Sequence, residues 1–173
     1  GLSNETPWGT MKYLELAETK SLPRVASIQN AYNLVNRGFE IGLSEVAMHE
    51  QVGLLAYSPL AQGTLTGKYL GGQMPQGSRL ALFGDGPLMM RYKGDKTQQA
   101  IEMYVNLAKK YEIDPAQLAI QFCNIQPFVT STIIGATTME QLKTCIDSVD
   151  LDITKEIINE IRGIHKEIPN PAP

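Results

Sequence analysis

Short uncharged runs alternate with longer segments of helical periodicity along this chain. The runs cover residues 25–28, 53–58 and 131–134, and the first is apolar enough for a strand that is buried on both faces. Elsewhere apolar residues recur every three or four positions, which predicts helices over 6–20, 39–50, 97–111, 114–126, 138–149 and 154–165. This alternation predicts an α/β protein in which three parallel strands are separated by helices.

Capping residues mark where several of these helices begin. Thr6 followed by Pro7 predicts an N-cap and a first-turn proline. Asp114 and Thr138 each stand three residues before a glutamine, as in a capping box. The apolar positions that predict the buried face of the first helix are Met11, Leu14 and Leu16.

Residues 71–96 differ in character from the rest of the chain. They are rich in glycine and contain Pro75, Pro87 and the pair Asp85-Gly86, which predicts a long irregular loop. A loop of this length within a domain usually either has a function or is disordered. The whole chain, residues 1–173, has the length of a single domain.

Composition argues against several classes of partner. Of the 173 residues, 43% are hydrophobic and 19% are charged, and the formal net charge of −3 provides no basic surface for nucleic acid or an anionic membrane. No apolar run approaches the roughly 20 residues of a membrane span, and no signal-peptide pattern is visible, so we expect a cytoplasmic protein. Cys123 and Cys145 are not spaced like the ligands of a metal site or the pair of a redox motif, so they are expected to be buried, reduced thiols.

The segment 57–69 passes from an apolar strand into a glycine-spaced polar loop that ends near Lys68. Such a loop suits a phosphate group, because glycine lets the backbone approach a ligand and lysine supplies charge. It does not match the P-loop of nucleotide triphosphatases. Three residues rather than four separate Gly63 from Gly67, and Tyr69 stands where a serine or threonine would bind magnesium.

Polar side chains gather where each predicted strand meets the following helix. The junctions at 3–4, 29–33, 57–68 and 135–141 offer uncharged hydrogen-bonding groups, one aromatic ring and one cation. In a parallel β/α fold such junctions lie at the same edge of the sheet. A dinucleotide suits this set, since its amide, hydroxyl and phosphate groups are spread along its length. Taken singly, each polar residue can equally cap a helix or satisfy the backbone.

Motifs from these four junctions resemble, in the same order, those of the aldo-keto reductases. They are Gly1-Leu2-Ser3-Asn4, Ile28-Gln29-Asn30, Tyr57-Ser58-Pro59-Leu60 with Leu65-Thr66-Gly67-Lys68-Tyr69, and Ile134-Gly135-Ala136-Thr137 with Glu140-Gln141-Leu142. The resemblance covers essentially all 173 residues and corresponds to the carboxyl-terminal half of the family. It is greatest to the branch of Tas-like proteins and potassium-channel beta subunits.

The resemblance implies the carboxyl-terminal half of a (β/α)8 TIM barrel, which is incomplete in this chain because such a barrel takes about 250 residues. The chain begins at Gly1 with no visible strand before the first helix, which also suggests a missing upstream segment. By the same resemblance we expect NADPH as the cofactor and a small carbonyl compound as the substrate. The exposed sheet edges would be covered by the upstream half-barrel or by self-association.

The resemblance also implies which residues meet the cofactor. Ser3 and Asn4, assisted by Gln29, would hold the nicotinamide carboxamide, and Tyr57 would stack on the nicotinamide ring. The contacts implied for the phosphates of the diphosphate region are Ser58, Leu60 and Lys68. Arg79, in the irregular segment 71–96, is a candidate for a second phosphate contact, and the alternative is a solvated loop arginine. Those implied for the ribose phosphate and the adenine are Gly135, Thr137 and Gln141.

Two parts of the family pattern are missing. Thr144 and Cys145 stand where many members of the branch carry glutamate and asparagine, so the adenine contacts are expected to be weaker or rearranged. The family's catalytic tyrosine, lysine, aspartate and histidine lie upstream of the motif that contains Ser3. His49 and His165 are expected to be surface or helix-end residues rather than catalytic ones. We therefore expect no activity from this chain without the upstream half.

Three functions fit this sequence. The first is the cofactor-binding half of an NADPH-dependent oxidoreductase that reduces a carbonyl group by hydride transfer. The second is a non-catalytic dinucleotide-binding or regulatory module. The third is an inactive fragment that persists by self-association.

Overall fold

Four parallel strands form a single sheet in the order in which they occur along the chain. The computed structural model describes residues 1–84 and 86–173. The strands are β1 (Leu2–Ser3), β2 (Ser27–Ala31), β3 (Gly53–Tyr57) and β4 (Val129–Thr132). Helices separate them, so the predicted α/β alternation is confirmed, and the arrangement is consistent with part of a (β/α)8 barrel.

Three helices begin directly after predicted capping residues. Their bounds are α1 (Pro7–Thr19), α2 (Leu43–Glu50), α3 (Arg79–Phe83), α4 (Pro87–Met90), α5 (Asp95–Lys110), α6 (Pro115–Asn124), α7 (Met139–Asp147) and α8 (Lys155–Glu167). The side chains of Thr6, Asp114 and Thr138 accept hydrogen bonds from the first-turn amides of α1, α6 and α7. These three N-caps are therefore confirmed.

One face of the sheet belongs to the core. Ile28, Leu54 and Ala56 are at most 1% exposed and join a hydrophobic cluster with side chains from α5, α6 and α8. Successive residues of a strand point to opposite faces, so these three side chains share the helix-covered face. Their burial is part of the apolar contact between the sheet and its helices.

The other face of the sheet is more open and carries several candidate site residues. Ser3 pairs in register with Gln29, and Gln29 pairs with Leu55, so the three side chains lie on this face. Tyr57 follows Leu55 by two residues and points the same way. Ser3 is exposed, and the other three side chains are half-buried. The sheet therefore presents a partly polar surface away from the helices.

The strand predictions need three corrections. The described residues form four strands rather than three, because Leu2–Ser3 pairs with β2 although two residues are too few for a visible pattern. β2 covers Ser27–Ala31 instead of 25–28, which places Gln29 within the strand rather than after it. β4 ends at Thr132 instead of 134. Hydrogen bonds between neighbouring strands decide these bounds. Polar residues can lie within the strands because one face of the sheet is open.

The helical segments differ from prediction in two places. In α1 only Leu14 of the three expected core positions is buried, whereas Met11 and Leu16 are 41% and 42% exposed. α2 starts at Leu43 rather than at 39, since a separate 3₁₀ turn, Gly38–Glu40, precedes it. The apolar spacing of α1 therefore did not predict which side faces the core.

The segment 71–96 is more ordered than predicted. It contains the short helices α3 and α4, and α5 already begins at Asp95. The Asp85-Gly86 turn signal lies partly outside the described residues, because Asp85 is not among them. Within the described ranges, no helix is both long and apolar enough to cross a membrane.

Both cysteines are buried and unpaired, as predicted. Cys123 in α6 is fully buried, and its Sγ lies 3.5 Å from the carbonyl oxygens of Tyr32 and Ala119. Cys145 in α7 is 6% exposed. Burial raises the pKa of both thiols, with the nearby Asp114 carboxylate adding to the effect at Cys145. Both side chains therefore serve as small apolar core groups.

Candidate functional site

Four predicted site residues lie close together near the carboxyl ends of β1, β2 and β3, with Gln29 two residues before the end of β2. The Asn4 amide N–H donates to the Gln29 carbonyl oxygen at 2.9 Å. The Tyr57 hydroxyl donates to Asn4 Oδ1 at 2.9 Å, and Asn4 Nδ2 donates to Ser3 Oγ at 3.4 Å. The sheet thus brings together residues that are up to 54 positions apart in the sequence, counting from Ser3 to Tyr57.

Asn4 adopts a left-handed backbone conformation with φ of 54°. Asparagine tolerates this region better than most residues, because its short polar side chain can bond locally. The turn directs the Asn4 side chain back over β3, where it fixes the Tyr57 ring through the hydroxyl hydrogen bond. The half-buried Tyr57 ring is therefore held in a defined orientation.

A cleft of about 340 Å³ opens beside this group. Asn4, Asn30, Tyr57, Arg91 and Pro173 are among its lining residues. Asn30 donates through Nδ2 to the Glu5 carbonyl oxygen at 3.2 Å, whereas its buried Oδ1 has no hydrogen-bond partner among the described residues. A buried acceptor without a partner is uncommon in folded proteins.

Arg91 and Pro173 were not predicted as site residues. Arg91 comes from the segment 71–96, where a single cation gives no signal of its own. Pro173 reaches the cleft because the carboxyl-terminal tail folds back, with the Ala172 amide donating to the Val35 carbonyl oxygen at 3.1 Å. Only the tertiary fold brings these two residues to the cleft that Tyr57 also lines.

The loop after β3 is unusually rich in left-handed backbone conformations. Ser58, Ala61, Gln62 and Gly63 have φ values of 54°, 48°, 59° and 92°. For the three residues other than glycine this conformation costs on the order of 1–3 kcal/mol each, and such strain clusters at functional sites. Local bonds hold the loop, including those from the Ala61 and Gly63 amides to the carbonyl oxygens of Ser58 and Leu60 at 2.9 and 2.8 Å.

Asn33 connects this loop to the end of β2. It is fully buried, and its Nδ2 donates to the Ser58 carbonyl oxygen at 3.0 Å. Its Oδ1 accepts from the amides of Val35 and Asn36 at 3.0 and 2.9 Å. The sequence placed Asn33 in a polar junction without a specific role. In the structure, Asn33 holds the backbone of Ser58 and of the turn after β2 through these hydrogen bonds.

Lys68 lies directly against the glycine of the loop. Its Nζ is 5.2 Å from the centre of the Tyr69 ring, and a Cβ added to Gly63 would lie 3.0 Å from that Nζ. Gly63 is required here because it has positive φ and because a side chain would crowd the lysine. The ammonium group is therefore held beside the loop 58–63.

Arg79 reaches the same loop from α3. Its Nη1 donates to Gln62 Oε1 at 2.7 Å, and Gln62 Nε2 donates to Ser58 Oγ at 3.0 Å. Leu60 contributes its backbone, since its carbonyl oxygen accepts from Gly63, and its side chain packs against the core. The predicted residues Ser58, Leu60, Lys68 and Arg79 therefore surround one loop.

The remaining predicted residues form a separate group after β4. The backbone amide and the hydroxyl of Thr137 both donate to Gln141 Oε1, at 3.0 and 3.1 Å. A Cβ built on the exposed Gly135 would have no other atom within 4 Å, so the fold itself does not require glycine there. An open cleft of about 330 Å³ adjoins this group and is lined by Ile134, Ala136, Thr137, Thr138, Met139 and Leu142.

Comparison with known proteins agrees with the sequence motifs. The model of the Aldo/keto reductase family matches residues 1–166. This chain belongs to the aldo/keto reductase family. The predicted family resemblance is therefore confirmed. This family member is 51% identical over 173 residues to Protein tas of Escherichia coli (strain K12), a match that covers 100% of this chain and 49% of that protein.

Other relatives of this aldo/keto reductase family member show the same partial coverage. It is 33% identical over 153 residues to L-glyceraldehyde 3-phosphate reductase of Escherichia coli (strain K12), covering 87% of this chain and 44% of that protein. It is 35% identical over 120 residues to a probable voltage-gated potassium channel subunit beta of Oryza sativa subsp. japonica, covering 68% and 37%. The chain spans about half the length of Protein tas.

A half-buried ion pair lies after β2 in this aldo/keto reductase family member. Arg37 donates to both carboxylate oxygens of Glu40 at 2.7 and 2.8 Å, and the Tyr32 hydroxyl donates to the same carboxylate at 2.7 Å. Burial alone would raise the pKa of Glu40, but the hydrogen bonds from Arg37 and Tyr32 outweigh it and lower that pKa.

The two histidines lie in the last turns of their helices, as predicted, but in different surroundings. His49 in α2 is exposed. His165 in α8 is half-buried, and its Nδ1 is buried without a hydrogen-bond partner among the described residues. Burial, reinforced by the charge of Arg37, lowers the pKa of His165. His165 is therefore a helix-end residue that faces the interior rather than a surface residue.

Proposed function

We propose that this chain binds NADPH along the carboxyl edge of its sheet and forms the cofactor-binding, carboxyl-terminal half of an aldo-keto reductase. The observation that carries this proposal is the convergence of Ser3, Asn4, Gln29 and Tyr57 at one edge, with hydrogen bonds of 2.9 Å joining Asn4 to Gln29 and to Tyr57. Members of the family generally use a nicotinamide dinucleotide as a reductant. Ligands of parallel β/α proteins bind at this end of the strands.

The loop 58–63 has the chemistry that a diphosphate requires. Lys68 and Arg79 bring two cations to the loop, and Ser58 adds a hydroxyl. Charge-assisted bonds to phosphate are among the strongest that proteins form, and left-handed turns present backbone amides to anions. Arginine suits phosphate because its planar group can donate two parallel hydrogen bonds. These residues fit the dinucleotide.

Tyr57 and its neighbours would orient the nicotinamide end. The Tyr57 ring, fixed by Asn4, would offer a flat surface for stacking, and the side chains of Ser3 and Gln29 would bind the carboxamide. When bound, the cofactor supplies a hydride for transfer to a carbonyl carbon. This chain would supply the orientation, and correct positioning of the reacting atoms contributes strongly to rate.

Thr137 and Gln141 would meet the adenosine end beside the cleft after β4. Both Thr137 donors are held by Gln141 in the free chain, so the two residues form a ready-made polar pair. Gly135 leaves space for a ligand, as its added Cβ would meet no atom within 4 Å. Cys145, which stands where many members of the branch carry asparagine, is 6% exposed and packs inward. It would therefore make no contact with the adenine.

The open face of the sheet suits a complementary half-barrel. The two edge strands are β1 and β4, and the helices that follow them expose large apolar side chains. Trp8 on α1 is 73% exposed, and Met139 and Ile146 on α7 are 78% and 55% exposed. A second set of four β/α units would pair both edges, cover these side chains and provide the proton donor and the substrate pocket for a small carbonyl compound.

Titration of the chain with NADPH tests the binding site directly. Calorimetry is expected to give micromolar affinity, and Tyr57→Ala should weaken it by about tenfold through loss of stacking. Lys68→Met should weaken binding and reduce its salt dependence, whereas Lys166→Met on the exposed surface of α8 should change neither. No heat of binding at millimolar NADPH would reject the proposal.

Reconstitution tests the catalytic part separately. The chain would be mixed with the upstream half of a homologous full-length reductase, and oxidation of NADPH would be followed at the absorbance of the reduced cofactor with an aldehyde present. Aldehyde-dependent oxidation is the expected result. A folded complex that binds NADPH without turnover would instead support the second candidate, a dinucleotide-binding module, which is favoured by the fact that all the proposed cofactor contacts lie within this chain.

A further inference from the structure

Gln62 joins two parts of the candidate site that lie on different elements. Its side-chain amide nitrogen, Nε2, donates to Ser58 Oγ at 3.0 Å, and its amide oxygen, Oε1, accepts from Arg79 Nη1 at 2.7 Å. Ser58 directly follows β3, whereas Arg79 is the first residue of α3. A single amide therefore connects the end of a central strand to the segment 71–96.

The backbone at Gln62 is strained in a way that serves this contact. Gln62 has φ of 59°, and it lies between Ala61 and Gly63, which also have positive φ. A long unbranched side chain has no intrinsic preference for this conformation. Strain of this kind persists where the surroundings enforce it, and it is commonly found at ligand-binding loops.

Arg79 has few other constraints on its charged group. α3 is five residues long, and its attachments to the loop region include a bond from the Leu80 amide to the Tyr69 hydroxyl at 3.4 Å. The bond from Arg79 to Gln62 is exposed to solvent. Within the part of the chain that the structure describes, no carboxylate forms an ion pair with Arg79. Gln62 is therefore the side chain that orients this guanidinium.

A neutral partner preserves the charge of Arg79 for a ligand. A carboxylate at the same position would hold the guanidinium but would also neutralise it and repel phosphate. Arginine has five N–H donors, and the bond to Gln62 uses one of them. Glutamine alone offers, at this length, both the donor that Ser58 accepts and the acceptor that Arg79 requires.

We infer that Gln62 is a positioning residue that holds Arg79 over the loop 58–63, so that its remaining donors face a bound phosphate group. The inference rests on the proposed function for the identity of the ligand. Fixing a flexible side chain before binding lowers the entropic cost of ordering it in the complex. Gln62 would therefore raise affinity for the dinucleotide through Arg79, with Ser58 as its anchor.

Hydrogen exchange of the unliganded 173-residue chain tests the positioning role without any cofactor. Gln62→Ala should speed exchange of the amides in α3 and of Gly84, which bonds to Leu80, by several-fold. Gln62→Glu should retain protection because its carboxylate still accepts from Arg79. Gln73→Ala, an exposed glutamine in the same segment, is the matched control and should leave exchange unchanged. Unchanged exchange in Gln62→Ala would overturn the inference.

Binding of NADPH then tests the functional consequence. Gln62→Ala is expected to weaken affinity by about 2- to 10-fold, the range for failing to pre-order one long side chain. In an Arg79→Ala background the same change should have less than a twofold effect, because the residue to be positioned is gone. Gln62→Glu should weaken binding although α3 stays protected, since it neutralises Arg79.

The outcomes separate this inference from the proposed function. If the wild-type chain binds no NADPH, the proposed function is rejected together with a phosphate role for Arg79. If the wild type binds NADPH and the effects of Gln62→Ala and Arg79→Ala are simply additive, the proposed function stands and the role of Gln62 is rejected. Loss of affinity in Gln73→Ala equal to that in Gln62→Ala would also overturn the inference.

Discussion

Two asparagines at the carboxyl edge of the sheet hold the candidate site in different ways. Asn4 uses a left-handed backbone turn to bring its side chain to the Tyr57 hydroxyl, 2.9 Å away. Asn33 is fully buried and satisfies three backbone groups, those of Ser58, Val35 and Asn36. Both roles depend on the same property, since an amide side chain offers hydrogen-bond donors and an acceptor together.

Asn33→Ala should be strongly destabilising. The substitution removes three hydrogen bonds and leaves their backbone partners buried, which we expect to cost about 2–4 kcal/mol of unfolding free energy. Urea denaturation of both proteins measures this difference. The control is Asn106→Ala, an exposed asparagine within α5, which should change stability by less than about 0.5 kcal/mol. Equal effects of the two substitutions would contradict the assigned role.

The pair of Arg37 and Glu40 should make stability depend on acid pH. The pKa of Glu40 is lower in the folded chain than its ordinary value of 4.5, so the unfolded chain binds the proton more tightly. The stabilising contribution is therefore present above about pH 4.5 and is lost as the pH falls towards the folded pKa. We expect Glu40→Gln to cost about 2–3 kcal/mol at pH 7 and progressively less below pH 4.5.

Urea denaturation between pH 3.5 and 7 measures this pH dependence. Glu15→Gln is the control, because the Lys12–Glu15 pair is exposed and should contribute less than about 1 kcal/mol at any pH. A constant difference between Glu40→Gln and the wild type over the whole pH range would show that the carboxylate charge is not involved.

Helices and strands differed in how well their sequences predicted them. Helix starts at Thr6, Asp114 and Thr138 were predicted correctly, because a cap depends on residues within one turn. Strand bounds were displaced by about two residues in β2 and β4, and β1 was missed. Strands are stabilised by partners that are distant in the chain, so local composition gives weaker information about their ends.

Replacing Gly163 and Gly67 by alanine should change stability in opposite directions, because one lies in a regular helix and the other in a left-handed turn. Gly163 is exposed within α8, and an added Cβ would meet no atom within 4 Å, so Gly163→Ala should stabilise by about 0.5–1 kcal/mol. Gly67 has φ of 80°, and its added Cβ would lie 3.1 Å from Val105 Cγ1. Gly67→Ala should destabilise by about 1–3 kcal/mol.

Thermal and urea denaturation of the two glycine variants measure these changes. The comparison is internally controlled, because the same methyl group is added in both cases. Stabilisation by Gly67→Ala would show that the loop relaxes freely, which would contradict a pre-organised loop beside Lys68.

At the scale of the whole molecule, the sheet is covered unevenly. Helices bury one face, while the other face and both edge strands lie open, beside apolar side chains on α1 and α7. Open strand edges and exposed apolar side chains favour association. The relatives that this chain matches are about twice as long, as expected if further β/α units cover this surface.

The exposed apolar residues should cause the isolated chain to self-associate. Light scattering at rising concentration should show species larger than a monomer, and the double variant Trp8→Glu with Met139→Lys should shift the distribution towards monomer. Leu82→Lys on α3, where the leucine is 66% exposed, is the control and should have little effect. A monodisperse wild-type monomer at all concentrations would contradict the prediction.

Fluorescence provides a second measurement of association. Trp8 is the sole tryptophan in the sequence and is 73% exposed, so its emission should lie at long wavelength in the monomer. Emission should move to shorter wavelength when a partner covers α1. If the emission wavelength does not change when a complementary half-barrel is added, the partner does not contact α1 at Trp8.

Sequence patterns were enough to predict the alternation of strands and helices, three capped helix starts, the buried cysteines and the family. Each of these depends on short-range patterns or on motifs in a fixed order. The tertiary structure alone decided that Gln29 lies within a strand, that Asn4 bonds to Tyr57 and that Gln62 bonds to Arg79. These contacts join residues on different elements. They depend on the register of the sheet and the path of the connecting segments, which no local pattern specifies.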